Sequence, residues 1–229
     1  MLTLAIDTAT EHVGVAIGRD GQVIGEVGLD GARRHAEELA PAIEFLQRET
    51  GVTLAQLSFL AVGIGPGLFT GLRVGVTTAR TLAQVLGVPL VGIPSLDLVA
   101  YPWRTTNRRI VALLDARRRE VFAARYWPVP GGLQRDGDDT VGSPEAVVAE
   151  LVADRHQALL VGDGALEYHD CFADLDHVEL GGPTSAAPSV GALVELATAR
   201  FQREEFARPE TVVPRYLRRS DAEIAWETR

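Results

Sequence analysis

Short apolar runs separated by turn signals dominate the beginning of the chain. Residues 2–6 form one run that ends at Asp7, and residues 13–18 and 23–27 form two more. The turn signal Arg19-Asp20-Gly21 separates the second run from the third. An Asp-Gly pair between two apolar runs is a strong hairpin signal. The pattern therefore predicts one strand followed by a β-hairpin.

The spacing of apolar positions then changes to a helical period. Over residues 34–49, apolar side chains recur on one helical face, although Pro41 predicts a kink or a start nearby. A buried-type strand over 59–64 leads into a glycine-rich stretch. A second helix is predicted over about 71–86, with Thr70 as its N-cap.

This second helix is apolar on more than one face. One stripe contains Leu72, Val76, Ala79, Ala83 and Leu86, and another contains Val74, Leu82 and Val85. A helix that is apolar nearly all round is buried or packs against a second surface. We expect one face to cover the sheet and the other to meet a partner subunit.

The second half of the chain repeats the opening plan. An apolar run over 110–114 ends at Asp115, and after a turn a second run returns over 121–126. Further strands are predicted over 91–93 and 158–161. Helices are predicted from 95, over 144–153 and over 190–201. The segment 128–142 is predicted to be rich in loops, and 212–218 to form an extended tail. Repeated strand, aspartate and hairpin units predict an α/β protein of two related subdomains, residues 1–103 and 104–229, whose tail packs back on the first. This pattern resembles that of the actin-like ATPase superfamily (ASKHA, RNase H-like), in which paired halves flank a nucleotide cleft.

Composition narrows the function classes. The 229 residues include 22 basic side chains, all arginine, and 31 acidic ones, so the net charge is -9. This charge disfavours a protein that binds nucleic acid over its whole surface, and the absence of lysine excludes a P-loop lysine or a Schiff base. The single cysteine excludes a disulfide framework. With no signal-peptide pattern and no long apolar run, we expect a cytoplasmic protein without a membrane segment.

Two stretches are candidates for chemistry. Asp7-Thr8-Ala9-Thr10 ends the first strand, where a carboxylate can hold Mg²⁺ through water and the turn can hold phosphate; alternatively it is a structural Asx or Thr turn. The stretch Gly65-Pro66-Gly67-Leu68-Phe69-Thr70-Gly71-Leu72-Arg73 precedes a helix. Its backbone amides can approach an anion, or it can be a tight strand-to-helix turn.

Three weaker signals also leave alternatives open. Gly162-Asp163-Gly164-Ala165 follows a strand and is either a nucleoside contact or a plain turn. Arginines between Arg104 and Arg119 form a basic cluster, which either meets RNA phosphates or caps a solvated hairpin. His35 is either one metal ligand or a residue at a helix start, and no histidines have the spacing of a helical metal pair.

Five segments in order resemble the TsaB family. They are residues 5–10, 34–41, 65–75, 115–122 and 214–218, and the resemblance covers essentially the whole chain. The resemblance implies a non-catalytic subunit required for formation of the threonylcarbamoyl group on N6 of adenosine 37 (t6A37) in tRNAs that read ANN codons. It implies a TsaD-type catalytic subunit and a TsaE-type ATPase as partners, tRNA reached only through the complex, and self-association when the chain is alone.

The resemblance also separates this chain from the catalytic relatives. TsaD-type subunits carry a His-x-x-x-His metal pair, whose positions correspond here to Ser95 and Val99. Valine has no donor atom and neutral serine is a poor ligand for iron or zinc. The resemblance therefore implies no metal, no cofactor and no catalytic residue, and it excludes the metallopeptidase label attached to some relatives.

The resemblance places the partner interface on the two N-terminal helices, and periodicity selects the residues. They are Leu39, Ile43 and Leu46 on the first helix and Arg73, Val76, Ala79, Arg80 and Ala83 on the second. Asp7, Thr8, Gly65, Pro66, Gly67, Thr70 and Gly71 are then family motif residues or vestigial phosphate loops. The alternative function is a small actin-like ATPase or acyl kinase with its own active cleft.

Overall fold

The computed structural model describes residues 1–31 and 34–218. Its first sheet contains β1 (Leu2–Asp7), β2 (His12–Arg19), β3 (Gln22–Asp30), β4 (Phe59–Gly63) and β5 (Leu90–Ile93), in the order β3-β2-β1-β4-β5. The predicted hairpin is confirmed, because β2 and β3 pair antiparallel across the Asp20-Gly21 turn. Strands β1, β4 and β5 run parallel, so their carboxyl ends meet at one edge of the sheet.

Helices cover both faces of this sheet. α1 (His35–Thr50) and α2 (Phe69–Leu86) pack on the face that carries Leu4 and Ile6, and α6 (Val190–Gln202) packs on the face that carries Ala5. The alternation of side chains along β1 thus serves two cores. α1 begins at His35 and continues through Pro41, so a start at the proline is wrong.

The second sheet has the same plan as the first. It contains β6 (Arg109–Arg117), β7 (Glu120–Val129), β8 (Gly132–Arg135), β9 (Thr140–Gly142), β10 (Ala158–Val161) and β11 (Val178–Leu180). The order is β11-β10-β6-β7-β8, with β9 also paired to β7. A central strand flanked by a hairpin on one side and parallel strands on the other recurs, which confirms two related α/β subdomains.

The remaining helices fill and join the two halves. α4 (Pro144–Ala153) and the short α5 (Asp163–Glu167) belong to the second half, and α3 (Ser95–Ala100) lies between the sheets, since Leu96 and Leu98 enter different cores. The segment 128–142, predicted to be rich in loops, contains the end of β7 and the strands β8 and β9, so most of it is strand and that prediction is wrong.

The chain returns to the first half at its end. α6 packs against β1 to β5, and Ala207 forms a bridge with Leu90 of β5. The predicted division at residue 103 places these residues in the second subdomain, but the apolar face of α6 is buried against the first sheet. No helix within the described ranges is long and apolar enough to cross a membrane.

Candidate functional site

The polar groups of the turn after β1 are hydrogen-bonded to other groups of the chain. Asp7 is 2% exposed, and its carboxylate accepts hydrogen bonds from the Ala9 amide (3.0 Å) and the Ser95 hydroxyl (3.3 Å). The Ser95 hydroxyl oxygen also accepts a bond from the Gly65 amide at 3.1 Å. A carboxylate buried and bonded in this way resembles the Asx turn more than a ligand for hydrated Mg²⁺.

The glycine-rich stretch packs directly on this turn. A Cβ at Gly67 would lie 2.2 Å from the Ala9 carbonyl oxygen, and a Cβ at Gly63 would lie 1.7 Å from Asp7 Oδ2. The Leu68 amide donates to the Ala9 oxygen at 2.7 Å, and Pro66 has no amide hydrogen. The glycines therefore permit a close approach of two backbone segments, which favours the tight-turn interpretation over an anion site.

Thr70 is not the helix cap. The cap residue of α2 is Leu68, and Thr70 is an exposed residue of the first turn. The chain changes direction at Leu68 because its amide is already bonded to the turn after β1, one residue before the helix begins.

Burial raises the pKa of the Asp7 carboxyl to about 6, against partial compensation by the Ala9 amide, the Ser95 hydroxyl and His12. The folded chain then keeps this proton up to about pH 6, whereas the unfolded chain releases it near 3.8. The free energy of unfolding therefore falls as pH rises through this window and is flat above it. Asp163, whose pKa burial also raises to about 6, acts in the same direction.

We predict that Asp7→Asn makes this decline shallower. The amide cannot ionise, so a fall of about 2 kcal/mol between pH 4 and pH 6 disappears from the curve. Urea unfolding at a series of pH values measures it. Asp138→Asn, at an exposed site, controls for the substitution itself. A slope identical to that of the wild type would show that Asp7 is not the group that titrates.

The positions that correspond to the metal pair are part of the core. Ser95 is fully buried and bonded to Asp7, and Val99 is 1% exposed in the core between the sheets. His35 starts α1 and its ring nitrogen bonds the Thr10 carbonyl oxygen at 2.8 Å. Within residues 1–31 and 34–218, no three His, Cys, Asp or Glu side chains gather as metal ligands.

The cleft between the two halves is small and acidic. A cavity of about 230 Å³ lies at the ends of β1 and β6. Its lining includes the carboxyl groups of Glu11, Asp30, Asp115, Asp163 and Glu167, with Thr10, His12 and Arg117. Arg117 forms an ion pair across it with Glu11 and another with Asp115 at 3.0 Å. A phosphate entering this space would meet more negative than positive charge.

The Gly162–Ala165 segment also serves packing. Gly162 has a φ of 105°, and a Cβ there would lie 2.0 Å from the Leu113 carbonyl oxygen of β6. The Asp163 carboxylate accepts the Asp115 amide at 2.9 Å. These contacts favour the plain turn over a nucleoside contact.

Acidic partners neutralise much of the predicted basic cluster. Arg104 pairs with Glu195, Arg108 with Glu179, Arg109 with Asp136 and Asp154, and Arg119 with Glu145. Arginines already paired with carboxylates offer less charge to a phosphate backbone. The hairpin interpretation is therefore favoured.

The six apolar residues selected for the partner interface lie inside the chain. They belong to one core with the sheet and are between 0% and 6% exposed: Leu39, Ile43, Leu46, Val76, Ala79 and Ala83. Apart from Leu39, whose side chain also reaches the base of an outer groove, this choice of residues is wrong, because side chains that already cover their own sheet are not available to a partner. An interface on the two helices stays a prediction.

The outer surface of the two helices is a groove that includes Leu39 and Arg73 but none of the other six interface residues selected from the sequence. It has a volume of about 400 Å³ and is lined by small residues: Ala36, Ala40, Thr77 and Thr78, with Leu39, Arg73 and Val74. Threonine and alanine at an exposed helical spacing are the signal that was missed, because a stripe of small residues admits the ridges of another helix.

The two arginines of α2 hold the C-terminal segment. Arg73 donates to the Tyr216 hydroxyl at 3.2 Å and lies 3.9 Å from the centre of the Phe69 ring. Arg80 donates to the Glu210 carbonyl oxygen at 3.2 Å. Both side chains thus have partners within the chain, on the side of α2 that faces residues 210–216.

Sequence comparison identifies relatives of this chain among known proteins. The family model described as TsaD, tRNA N6-adenosine threonylcarbamoyltransferase, matches residues 25–226. The tRNA threonylcarbamoyladenosine biosynthesis protein TsaB of Escherichia coli K12 is 32% identical, over 99% of this chain and 97% of that protein. The protein of the same name from Bacillus subtilis 168 is 30% identical, over 99% and 98%.

Solved structures support the same family and show the same fold. YeaZ from Pseudomonas aeruginosa superposes with a TM-score of 0.82 at 30% identity, over 94% of this chain and 99% of that one. The ethanolamine utilization protein EutJ of Carboxydothermus hydrogenoformans, at 10% identity and a TM-score of 0.54, shares the fold alone. The fold is that of the actin-like ATPases, and the chain belongs to the TsaB family.

Proposed function

We propose that this protein is a non-catalytic subunit in the biosynthesis of t6A at position 37 of tRNA. It would bind a TsaD-type catalytic subunit and act with a TsaE-type ATPase, reaching tRNA only through that complex. Its relatives from Escherichia coli and Bacillus subtilis are named for threonylcarbamoyladenosine biosynthesis, which supports the pathway.

The observation that best supports the non-catalytic role is that the polar groups which could bind phosphate are hydrogen-bonded within the chain. The carboxylate of Asp7 is bonded to Ala9 and Ser95, and the Leu68 amide is bonded to Ala9. In a working ATPase these groups would face the ligand. The acidic lining of the small cleft also disfavours a triphosphate. Nothing favours the ATPase or acyl kinase alternative over this proposal.

The groove between α1 and α2 is the surface we assign to the partner. Most of its lining side chains are small, so a helix of the partner can pack closely there. A stable interface needs about 800 Å² from each partner, which two helices of 16 and 18 residues can supply. Alone, the chain would pair with itself through the same groove.

We expect Ala40→Arg to abolish complex formation without unfolding the chain. Ala40 is exposed and lines the groove, so the long charged side chain fills the space that the partner helix needs. Size-exclusion chromatography with the TsaD-type subunit of the same organism measures co-elution. We expect the affinity to fall by at least about a hundredfold.

Ala149→Arg is the matched control. It introduces the same side chain at an exposed site of α4, far from the groove along the chain. We expect it to co-elute like the wild type. A wild-type protein that fails to bind the TsaD-type subunit would refute the proposal, as would ATP turnover by the isolated chain.

A further inference from the structure

The two helices that line the groove are anchored to the same turn. The Thr8 hydroxyl donates to the Gly71 carbonyl oxygen of α2 at 2.7 Å, and His35 at the start of α1 bonds the Thr10 carbonyl oxygen at 2.8 Å. All of these groups are buried. The turn after β1, residues 7–10, therefore contacts both walls of the groove from beneath.

The contact with α2 is as close as two backbones allow. Gly71 and Gly75 are four residues apart and share one face of the helix. A Cβ at Gly71 would lie 2.1 Å from the Thr8 carbonyl oxygen, and a Cβ at Gly75 would lie 2.2 Å from Thr8 Oγ1. A single methyl group on this face would force the helix and the turn apart.

The glycine face lies opposite the exposed face of α2. With roughly 100° of rotation per residue, Thr77 and Gln84 point about 180° away from Gly75. Both are exposed, and Thr77 lines the groove. Because a helix moves as a rigid element, a shift at the glycine face displaces the groove wall by the same amount.

We propose that residues 7–10 act as a positioning device for the partner groove. Thr8 sets the depth of α2 through Gly71 and Gly75, and Thr10 fixes the start of α1 through His35. Thr8, His35, Gly71 and Gly75 are then positioning residues, and a turn that resembles a phosphate loop serves protein recognition. The inference rests on the proposed function in one respect, namely that the partner in the groove is a TsaD-type subunit.

Gly75→Ala tests this inference. The new methyl would meet Thr8 Oγ1 at 2.2 Å, and the bond from this hydroxyl to the Gly71 carbonyl oxygen opposes its rotation, so we expect α2 to move outward by about 1 Å to reach ordinary contact. We expect crystal structures to show this shift relative to α1. We expect the affinity for the TsaD-type subunit, measured by calorimetry on folded protein, to fall about tenfold or more.

The double variant Gly75→Ala/Thr8→Ala supplies the rescue. Removing Oγ1 leaves the nearest Thr8 atom, its Cβ, at 3.4 Å from the new methyl, which is an ordinary contact. We expect α2 to return and the affinity to recover to within about threefold of the wild type. A merely destabilised protein would not regain affinity on losing a further hydrogen bond.

Gly18→Ala is the matched control. A Cβ at Gly18 would lie 2.3 Å from Val194 Cγ1, beneath α6 on the opposite face of the sheet. We expect a comparable loss of stability with unchanged affinity. Equal loss of affinity in this control, an unmoved α2 in Gly75→Ala, or a failed rescue would each overturn the inference.

Two further results distinguish a failure of this inference from a failure of the proposed function. If Gly75→Ala does not fold, Thr8→Ala removes the donor to Gly71 without adding an atom, and we expect about threefold weaker binding; unchanged affinity would overturn the inference. If the wild type does not bind the TsaD-type subunit, the proposed function fails and the link to affinity fails with it. The position of α2 in the crystal structures then still decides whether the turn sets the depth of the helix.

Discussion

Val76→Asp is expected to lower the free energy of unfolding by several kcal/mol. Val76 is 1% exposed and packs between α2 and the first sheet. A carboxylate at this site loses its water without gaining a partner, which costs several kcal/mol. Domains of this size are stable by only about 5–15 kcal/mol in total, so the native state loses much of its margin.

Thr77→Asp is the control, because it places the same charge on the next residue of the same helix. Thr77 is exposed, so the carboxylate remains hydrated and the fold should be retained. Thermal and urea unfolding followed by circular dichroism compare the two. A Val76→Asp protein that unfolds cooperatively with nearly wild-type stability would contradict the core placement and return Val76 to the candidates for a partner surface.

The comparison of Val76→Asp with Thr77→Asp also determines which variants are informative in binding experiments. A protein with Asp at position 76 or 43 would lose its partner because its own core fails. Loss of binding in such a variant therefore carries no information about the interface. Substitutions at Ala40 and Thr77 leave the core intact and address the groove itself.

The hairpin and the long helices could be predicted because each has a strong local signal. Asp20-Gly21 defines the turn between β2 and β3, and both turn residues have a positive φ. The helical period defines α1 and α2 to within two residues. The short strands β8 and β9, of four and three residues, are too brief for a period to appear among glycines and aspartates.

The partner face could not be predicted, because an apolar stripe does not say what covers it. α2 carries apolar residues on two sides, and the stripe with Val76, Ala79 and Ala83 turned out to face the sheet. Hydrophobic patterning marks the exposed side of α2 only weakly, since that side carries Thr70, Arg73, Thr77, Thr81, Gln84 and Val85. Which stripe faces inward is decided by tertiary packing, which includes the close approach of Gly75 to Thr8.

The sequence predicts which segments of the candidate site come together, but not which way their backbone amides point. Asp7 and the stretch from Gly65 come together because β1 and β4 are parallel neighbours that end at one edge of the sheet. Whether the amides of that stretch point to solvent or to the turn depends on single hydrogen bonds such as the one from Leu68 to Ala9. The spacing of glycines carries no information about that direction.

The C-terminal segment 212–218 joins the two halves, and a shielded ion-pair network anchors it. The Arg215 amide donates to the Ile64 carbonyl oxygen at 2.7 Å at the end of β4. Its guanidinium group lies 2.8 Å from Asp139 in the second half. Asp139 also pairs with Arg135, which in turn pairs with Asp97 of α3. The segment therefore fixes the second half relative to the edge that carries the turn.

We predict that Asp139→Ala lowers the free energy of unfolding by about 2–3 kcal/mol. The Asp139 side chain is fully shielded, and its loss leaves two guanidinium groups short of a counter-ion. The cost is below that of a fully buried pair because Arg135 and Arg215 are 27% and 39% exposed and keep some water. Urea unfolding of the full chain measures it.

Asp138→Ala, at the adjacent exposed residue, should change the stability by less than about 0.5 kcal/mol. In a double-mutant cycle, Arg215→Met should recover part of the loss in Asp139→Ala, because it removes the cation that was left without its partner. If Asp139→Ala costs no more than the control, the segment is held by its apolar contacts. The rings of Tyr216 and Phe69, 5.1 Å apart, and Leu217 in the second core would then carry the connection between the two halves.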